Sequence, residues 1–519
     1  MDPSWWHDRV FYEVFVRSFA DSNGDGRGDL RGLTAHLDDL NDGDPATTTD
    51  LGVTALWLMP IAAAESYHGY DVTDLQAVEP DYGTADDLRA LVAQAHARGI
   101  KVILDFVPNH TSDRHPWFQA SRDPASDKAD WYVWRDTPPT ANQGAWHQLD
   151  DRWYLGQFWS GMPDLNLRNP AVTDALVTAA EWWMDESGVD GFRVDAAKHL
   201  VEEGDTLVNT PSSRRWLADF RARLQRTHPS AMIVAEVYDL AASSAAFVRD
   251  GGADLAFDFP LARGLYQAAN LEDTAPLAGA LADAQKLYPP GGYATFLTNH
   301  DQTRVMTELG GSLERAKLAA GLLLTHPGVP FIYYGEEVGM GGRKPDERLR
   351  VPMPWTGESP AGGFSTTTPW QPMGDDWPGV NVASQVHDPG SLLSAYRELI
   401  RLRDAETPLR TGATHVVETT TTAISALLRS TRASSDVVLA NLGTTALPSP
   451  VLSLGDGPLC GDVTATVVYA TADAAGTPAL PQGDVTAPAV TERGGFSSWT
   501  PVPMLPPRSV TVIRLVSRP

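Results

Sequence analysis

The chain has 519 residues, of which 42% are hydrophobic and 20% are charged, so it can bury a large core and is not a disordered tail or a coiled coil. It carries 40 Lys and Arg against 66 Asp and Glu, a formal net charge of −26. A charge of this sign and size repels phosphate backbones and anionic lipids. We therefore expect no nucleic-acid partner and no membrane partner.

The cysteine content and the apolar segments indicate a soluble protein. The single cysteine, Cys460, cannot form an internal disulfide, and the first residues lack a basic start followed by an apolar stretch. The most apolar run, 318–334, contains Pro327 and Pro330, which break a helix too early to span a bilayer. The sequence predicts a helix, a turn and a buried strand there, and a monomeric, cytoplasmic protein.

Short β-branched or aromatic runs alternate with longer stretches of helical period from residue 9 to about 340, the pattern of βα units on a parallel sheet. The eight runs are 10–19, 55–61, 101–107, 190–196, 232–237, 255–259, 294–297 and 330–334. Their continuous apolar character suits strands covered on both faces. Eight such units predict an α/β fold, a closed (β/α)8 TIM barrel.

The stretches between these runs contain helix boundaries. Thr84 can cap a helix with Asp87 three residues on, and Gly99 can end it. Asn169, followed by a proline, is a second cap, and Gly188 ends that helix just before the fourth run.

One connection is far longer than the usual loop, and the composition changes near residue 410. Some fifty residues rich in Trp, Asp, Pro and Gly follow the third run, which predicts an inserted subdomain over one end of the barrel. Val- and Thr-rich runs at 416–426, 436–441, 463–469 and 509–515 predict a C-terminal antiparallel β-sandwich. The predicted domains are the barrel (1–110 and 169–408), the inserted subdomain B (111–168) and the β-sandwich (409–519).

Polar side chains close four of the apolar runs. In a barrel of this kind the active site lies at the C-terminal ends of the strands, so these side chains share one mouth. They are His110 after the third run, Arg193 and Asp195 on the fourth, Glu236 on the fifth, and His300 and Asp301 after the seventh. One such aspartate could be a helix cap or a structural ion pair, but four coinciding strand ends indicate a catalytic site.

The available groups restrict the chemistry. A Gly-x-Ser-x-Gly motif and a Walker loop are absent, and the only cysteine lies in the late β region, so serine, phosphoryl and thiol routes lack their parts. Cleaving an acetal needs a carboxylic acid to protonate the leaving oxygen and a carboxylate to meet the anomeric carbon. Asp195 and Glu236 lie on successive strands, and such neighbours suit a short carboxylate separation and retention of configuration.

The sequence closely resembles the α-amylase family of glycoside hydrolases. The resemblance is carried by the four strand ends and by residues 52–60 (GVTALWLMP) and 162–166 (MPDLN). The resemblance implies that Asp195 is the nucleophile, Glu236 the general acid/base, and Asp301 the carboxylate that holds the sugar 2- and 3-hydroxyls. It also implies that Arg193 orients Asp195, and that His110 and His300 bind hydroxyls of the sugar. Because Arg193 precedes Asp195 by two on a strand, both point to one face, and we expect the cation to lower the pKa of Asp195. Glu236 must instead stay protonated, which needs a dry setting or a nearby anion such as Asp301.

Several other segments bear on the substrate. Residues 67–71 (YHGYD) have the form found in α-amylases of this family, with Tyr70 as an apolar platform for a pyranose face and Asp71 beside it. Lys198 and His199, after the nucleophile strand, are also amylase-like. Met162 resembles the intermediate group between the oligo-1,6-glucosidase or α-glucosidase and neopullulanase types. Arg350 ends a run of mixed charges, residues 346–350. This run is either a solvated loop or a border of the subsites that bind the sugars on the leaving-group side of the cleaved bond.

Residues 21–29 (DSNGDGRGD) place oxygen ligands at alternate positions around a tight turn, like the start of a calcium loop, although Gly32 stands where the closing glutamate would be. An ordinary Asp/Gly turn is the alternative. The family resemblance implies a structural Ca²⁺ held by Asp21, Asn23, Asp25, Asp29 and the Arg27 carbonyl. A second family site, with Asn109 and the carbonyl of His199, stays open.

We expect a retaining hydrolase that cleaves α-1,4 bonds in malto-oligosaccharides, with transglycosylation as an added activity. An exo-acting α-glucosidase and a trehalose synthase or other glucosyltransferase are the alternatives within the family. A non-catalytic sugar-binding scaffold is the alternative from another class, and the retained carboxylates count against it. A phosphate-binding barrel is opposed by the acidic mouth and by the lack of a glycine-rich loop after the seventh or eighth strand.

Overall fold

The computed structural model describes residues 4–517 and contains a closed barrel of eight parallel strands. The strands are β1 (Phe11–Val14), β2 (Ala55–Leu58), β3 (Lys101–Phe106), β4 (Gly191–Val194), β5 (Met232–Ala235), β6 (Leu255–Phe257), β7 (Tyr293–Phe296) and β8 (Val329–Tyr333). Their order around the barrel is β1-β8-β7-β6-β5-β4-β3-β2, and pairing of β1 with β2 closes the sheet. The predicted TIM barrel is confirmed, and each of the eight predicted runs contributes one strand.

Aromatic side chains fill the inside of the barrel. The Phe11 and Phe331 rings stack with centroids 4.3 Å apart, and Trp57 lies 5.4 Å from Phe257. Because alternate strand residues share a face, the next inward position after Phe11 is Glu13, and those after Ile103 and Gly191 are Asp105 and Arg193. The apolar layer is therefore followed, toward the C-terminal mouth, by a layer of charged residues.

Helices cover the outside of the barrel, and their caps match the sequence signals. Thr84 and Asp87 form a reciprocal capping box, the Asn169 side chain accepts from the Ala171 N–H, and Gly188 ends its helix in the left-handed region. The described α-helices are Leu30–Ala35, Leu37–Leu40, Ala85–Ala97, Pro116–Ser121, Pro170–Ser187, Pro211–Thr227, Ala241–Arg249, Phe259–Leu271, Ala275–Leu287, Val305–Glu308, Leu313–Thr325, Val382–Gln385, Leu392–Ala405 and Thr407–Thr411. The run 318–334 is the end of one helix, a turn and β8, as predicted.

Between β3 and the helix Pro170–Ser187, the chain forms a small antiparallel sheet. Its strands are Trp134–Arg135, Trp146–Leu149 and Arg152–Leu155, with the last in the middle. An isolated bridge between His110 and Asp164 joins the first and last parts of this segment beside the end of β3. A second short antiparallel pair, Ala62–Ala64 with Val72–Val78, follows β2.

The C-terminal region is a β-sandwich. One sheet has the order Ala413–Val416, Ile424–Ser430, Ser435–Asn441, Ser509–Ser517, Val463–Ala470 and Gly483–Val485, and the other contains Glu418–Thr419, Leu452–Asp456 and Gly494–Trp499. A two-stranded pair, Leu447–Pro448 with Met504–Leu505, is also present. Side chains of both larger sheets share one buried cluster that includes Leu428, Phe496 and Ile513, so the predicted sandwich is confirmed.

The single run predicted at 416–426 is wrong in detail, because the chain divides it among three strands that belong to two sheets. From residue 4 to residue 517, no helix is both long enough and apolar enough to cross a bilayer. The domain boundaries at 110/111, 168/169 and 408/409 stay predictions.

Candidate active site

β4 and β5 bring the two principal carboxylates to one place. Arg193 lies on β4, Asp195 follows that strand, and Glu236 follows β5, with Val234 paired to Arg193 in register. The two strands approach closely at Gly191, where an added Cβ would lie 2.1 Å from the Met232 carbonyl oxygen. A glycine is therefore required at the start of β4 for the pairing that aligns the site.

Arg193 is the centre of the charged layer. Its guanidinium is fully buried, and Nη1 lies 2.5 Å from Asp195 Oδ1 and 2.8 Å from Asp105 Oδ1. Nη2 lies 3.3 Å from Glu236 Oε2. One planar cation thus contacts both carboxylates assigned to bond cleavage, which fixes them over a single point of the mouth.

Burial and neighbouring charges shift the pKa of Asp195 in the charged layer at the barrel mouth. Burial raises the pKa of Asp195 to about 8, and Glu236 and Asp105 add to the rise, whereas Arg193 lowers it. The expected lowering by Arg193 is therefore present, but burial and two like charges outweigh it, so the net pKa of Asp195 is raised. Arg193 lies closer to Asp195 than to Glu236, so the cation favours the ionised form of Asp195 more strongly.

The residue after the nucleophile candidate has an unusual backbone. Ala196 adopts a left-handed conformation with φ of 51°, and its N–H donates to Glu236 Oε2 at 2.9 Å. Such a conformation costs free energy in a residue with a side chain and is maintained by its surroundings. It orients the Glu236 carboxyl toward Asp195.

Asp301 is held ionised at the opposite side of the mouth. Its Oδ1 accepts from Arg350 Nη2 at 2.9 Å, and Oδ2 lies 3.3 Å from His300 Nε2. Burial alone would raise the pKa of Asp301, but His300 and Arg350 outweigh it and hold the pKa well below its usual range. Asp301 is thus a permanent anion suited to accepting hydrogen bonds from two sugar hydroxyls.

A chain of hydrogen bonds joins β1 to Arg193. His300 Nδ1 donates to Glu13 Oε1 at 2.5 Å, His300 Nε2 donates to the Tyr70 hydroxyl at 2.7 Å, and that hydroxyl donates to Asp105 at 3.1 Å. Burial lowers the pKa of His300, but Asp301 and Glu13 outweigh it and raise the pKa to about 9. His300 is therefore a cation that donates from both ring nitrogens.

These residues surround an open cleft of about 270 Å³. Its lining includes Tyr67, His68, Tyr70, His110, Phe158, Trp159, Met162, Asp195, Glu236, Asp301, Asp346 and Arg350. Burial lowers the pKa of His110 to about 3, and its buried Nε2 has no hydrogen-bond partner within residues 4–517. His110 belongs to the cleft lining, and a neutral imidazole nitrogen without a protein partner is suited to a hydroxyl of a bound sugar.

Five residues predicted to bind substrate are absent from the cleft lining: the buried Arg193 and His300 described above, and three loop residues, Asp71, Lys198 and His199. Asp71 is 2% exposed, and both of its carboxylate oxygens accept from Ser66. Lys198 Nζ donates to the Tyr238 carbonyl at 2.8 Å, and His199 Nδ1 donates to Gln157 Oε1 at 2.8 Å. All three organise the loops that support the cleft, because their polar atoms already have protein partners.

The loop of residues 21–29 contains the predicted calcium donors and is held by its own hydrogen bonds. Asp21 accepts from the N–H groups of Asn23, Gly24 and Gly26, and Asp25 accepts from the Arg27 N–H. Among the described residues, no cluster of three or more His, Cys, Asp and Glu side chains is spaced to hold a metal. The donor set here adds an amide and a carbonyl oxygen to carboxylates, and all-oxygen sets of this kind suit Ca²⁺.

Comparison with known proteins agrees with the family resemblance seen in the sequence. The family model described as "Alpha amylase, catalytic domain" matches residues 13–412. Alpha-amylase 3 of Dictyoglomus thermophilum is 39% identical over 406 residues, which cover 77% of each chain. The trehalose synthase/amylase TreS of Mycolicibacterium smegmatis is 33% identical over 520 residues, covering 87% of this chain and 86% of that protein. The crystal structure of the alpha-amylase from H. orenii superposes with a TM-score of 0.81 and 35% identity, over 98% of this chain and 99% of the other.

This chain therefore belongs to the α-amylase catalytic domain family, and it is a glycoside hydrolase. Of the residues proposed from the sequence, six line the cleft: Tyr70, His110, Asp195, Glu236, Asp301 and Arg350. Arg193 and His300 contact two of these carboxylates from below, and the assigned roles stay predictions. Sequence reasoning missed Glu13, Asp105, Phe158 and Trp159. The alternation of β1 and β3 could have revealed the first two, since Glu13 and Asp105 each follow an inward apolar residue by two positions.

Proposed function

We propose that the protein hydrolyses α-1,4 bonds in malto-oligosaccharides with retention of configuration. Asp195 attacks the anomeric carbon as the bond to the leaving oxygen breaks, and Glu236 gives that oxygen its proton. Water then attacks the same carbon, Glu236 takes a proton from it, and the ester to Asp195 breaks. The contact of one buried guanidinium with both Asp195 and Glu236 carries this proposal.

The remaining groups at the cleft suit an uncharged, hydroxyl-rich substrate. The anion of Asp301 accepts hydrogen bonds from hydroxyl groups, whereas His110, whose Nδ1 accepts from Asn109 Nδ2 at 3.2 Å, can donate from its free Nε2–H. Phe158 and Trp159 are 48% and 51% exposed and lie on the cleft lining. Exposed rings beside a polar cleft are platforms for pyranose faces, as needed for a chain of several sugars.

Product analysis tests the substrate and the mode of action. Incubation with maltotriose, maltoheptaose and a nitrophenyl α-glucoside, followed by chromatography, should give maltose and longer products from maltoheptaose. Glucose as the sole product from every substrate would contradict the proposal and favour an exo-acting α-glucosidase. Asp195→Asn should remove activity by about 10⁴-fold or more without changing the fold.

A second candidate, glucosyl transfer that isomerises maltose to trehalose, is favoured by the similarity to the trehalose synthase/amylase. It uses the same covalent intermediate and differs in the acceptor that attacks it. Incubation with maltose alone separates the two functions. Trehalose as the main product would identify the synthase, whereas glucose would identify the hydrolase.

We also propose that Ca²⁺ binds the loop 21–29 and stabilises it without taking part in bond cleavage, because two carboxylates suffice for that step. The expected state is a monomer in the cytoplasm, consistent with the exposed, free thiol of Cys460. Light scattering on a gel-filtration peak and cell fractionation test these two points.

A further inference from the structure

The side chain of Gln157 joins the inserted segment to the barrel. Gln157 follows the strand Arg152–Leu155, and its Nε2 donates to Asp164 Oδ2 at 2.6 Å and to the His199 carbonyl at 3.3 Å. Its Oε1 accepts from His199 Nδ1 at 2.8 Å, and its backbone N–H donates to Asp164 Oδ1 at 3.2 Å. Every polar atom of the side chain amide thus has a partner across this junction.

The atoms around that amide nitrogen form an oxygen cluster. Asp164 also accepts a hydrogen bond from the Asn109 side chain, and both residues are buried. A second calcium site of the family, left open above, would use Asn109 and the His199 carbonyl. Here the Gln157 amide nitrogen already lies within hydrogen-bond distance of that carbonyl and of Asp164, so a cation does not fit among these residues as they stand.

We propose that the Gln157 amide replaces a cation at this junction. An NH₂ group supplies two donors to two oxygens, which satisfies Asp164 and the His199 carbonyl without a bound ion. The amide also accepts from the His199 ring, a contact that a cation cannot make. The junction between the inserted segment and the barrel is therefore independent of metal.

The replacement has a consequence for the cleft. The Phe158 ring follows Gln157 and lies 5.0 Å from the His110 ring and 5.2 Å from the His199 ring, measured between centroids. Gln157 therefore holds the cleft-lining Phe158 against the barrel. This inference does not depend on the proposed substrate, since it concerns ion binding at a junction outside the cleft lining.

Converting the amide to a carboxylate tests the proposal. Gln157→Glu would place a second anion against Asp164, and two adjoining carboxylates with a carbonyl and an amide oxygen form a Ca²⁺ donor set. Gln148→Glu is the matched control, because it makes the same charge change at an exposed position of the same small sheet. Bound Ca²⁺ per chain is measured by equilibrium dialysis, and the melting temperature is measured with and without Ca²⁺.

We expect Gln157→Glu to bind one more Ca²⁺ per chain than the wild type and Gln148→Glu, and to gain more in melting temperature from Ca²⁺. Any ion in the loop 21–29 is common to all variants and cancels in the comparison. Equal Ca²⁺ counts in Gln157→Glu and wild type would overturn the proposal. In a second experiment, bound Ca²⁺ per chain is compared between the wild type and Asp164→Asn. An unchanged count supports the proposal, and the loss of one Ca²⁺ would show that the natural junction already holds a cation.

Discussion

Glu13 Oε1 lies 2.5 Å from Nδ1 of His300, although the two residues are 287 positions apart in the chain. Closure of the barrel makes this contact, because β1 pairs with β8, which in turn pairs with β7. Both side chains are buried, so the pair is shielded from solvent and from salt. The pair, together with Asp301, fixes the charge of His300 below the cleft.

Replacing Glu13 should change the pH dependence. The pKa of His300, about 9 in the folded protein, exceeds its ordinary value, so its stabilisation is full below pH ~6.5 and is lost as the pH rises through about 9. Glu13→Gln removes one of the two anions, and we expect the alkaline limb of kcat/KM to move down by about one pH unit. Glu181→Gln, on a surface helix, is the control. An unchanged alkaline limb in Glu13→Gln would contradict the assigned role.

Replacing Arg350 should change the acid side of the pH profile. His300 and Arg350 hold the pKa of Asp301 below its usual range, so the stability this carboxylate provides is present above pH ~4 and is lost only as the pH falls through the lowered value. Arg350→Met should raise that pKa, move the acid limb of kcat/KM upward, and lower kcat/KM at neutral pH about tenfold or more. Arg348→Met, the same change at an exposed position of the same loop, should leave the pH profile intact.

The approach of β4 to β5 at Gly191 predicts a steric effect. An alanine Cβ would lie 2.1 Å from the Met232 carbonyl oxygen, so Gly191→Ala should lower the free energy of unfolding by about 1–3 kcal/mol or more. It should also lower kcat, because the strand shift separates Arg193 from Glu236. Gly279→Ala, in a surface helix with no atom near the added methyl, should leave activity unchanged and stability equal or higher. Urea unfolding and initial rates measure both outcomes.

The calcium proposal predicts a selective loss of ion response. Asp25→Ala removes one donor of the loop, whereas Asp44→Ala removes an exposed aspartate of similar local structure, whose carboxylate accepts from the Ala46 N–H. Ca²⁺ should raise the melting temperature of the wild type and of Asp44→Ala, and EDTA should reverse the rise. Asp25→Ala should lose this response. A wild type whose melting temperature ignores both Ca²⁺ and EDTA would refute the proposed site.

The barrel and the carboxylates at its mouth were predictable because both follow from local pattern. Continuous apolar runs define the strands, and the polar residue that ends each run must lie at the common mouth. Asp195, Glu236 and Asp301 were found in this way. The net pKa of Asp195 was not predictable, because a sequence shows the neighbouring Arg193 but not the depth of burial.

Contacts between distant loops were not predictable. Lys198 and His199 follow the nucleophile strand, yet their polar atoms bind the Tyr238 carbonyl and Gln157. Only the three-dimensional arrangement shows that Lys198 and His199 lie within hydrogen-bond distance of these partners and do not line the cleft. The run 416–426 failed for a different reason, since threonine favours strands throughout and gives no signal for the turn before Ile424.

The central claim is that Asp195 forms a covalent bond to the sugar while Glu236 acts as the acid and base. A 5-fluoro-α-glucosyl fluoride, which slows breakdown of a glycosyl-enzyme more than its formation, tests this claim by trapping. Mass spectrometry of the digested protein should then find one hexose-derived adduct on the peptide that contains Asp195, and Asp195→Asn should carry none. An adduct on another carboxylate, or inactivation without any adduct, would contradict the mechanism.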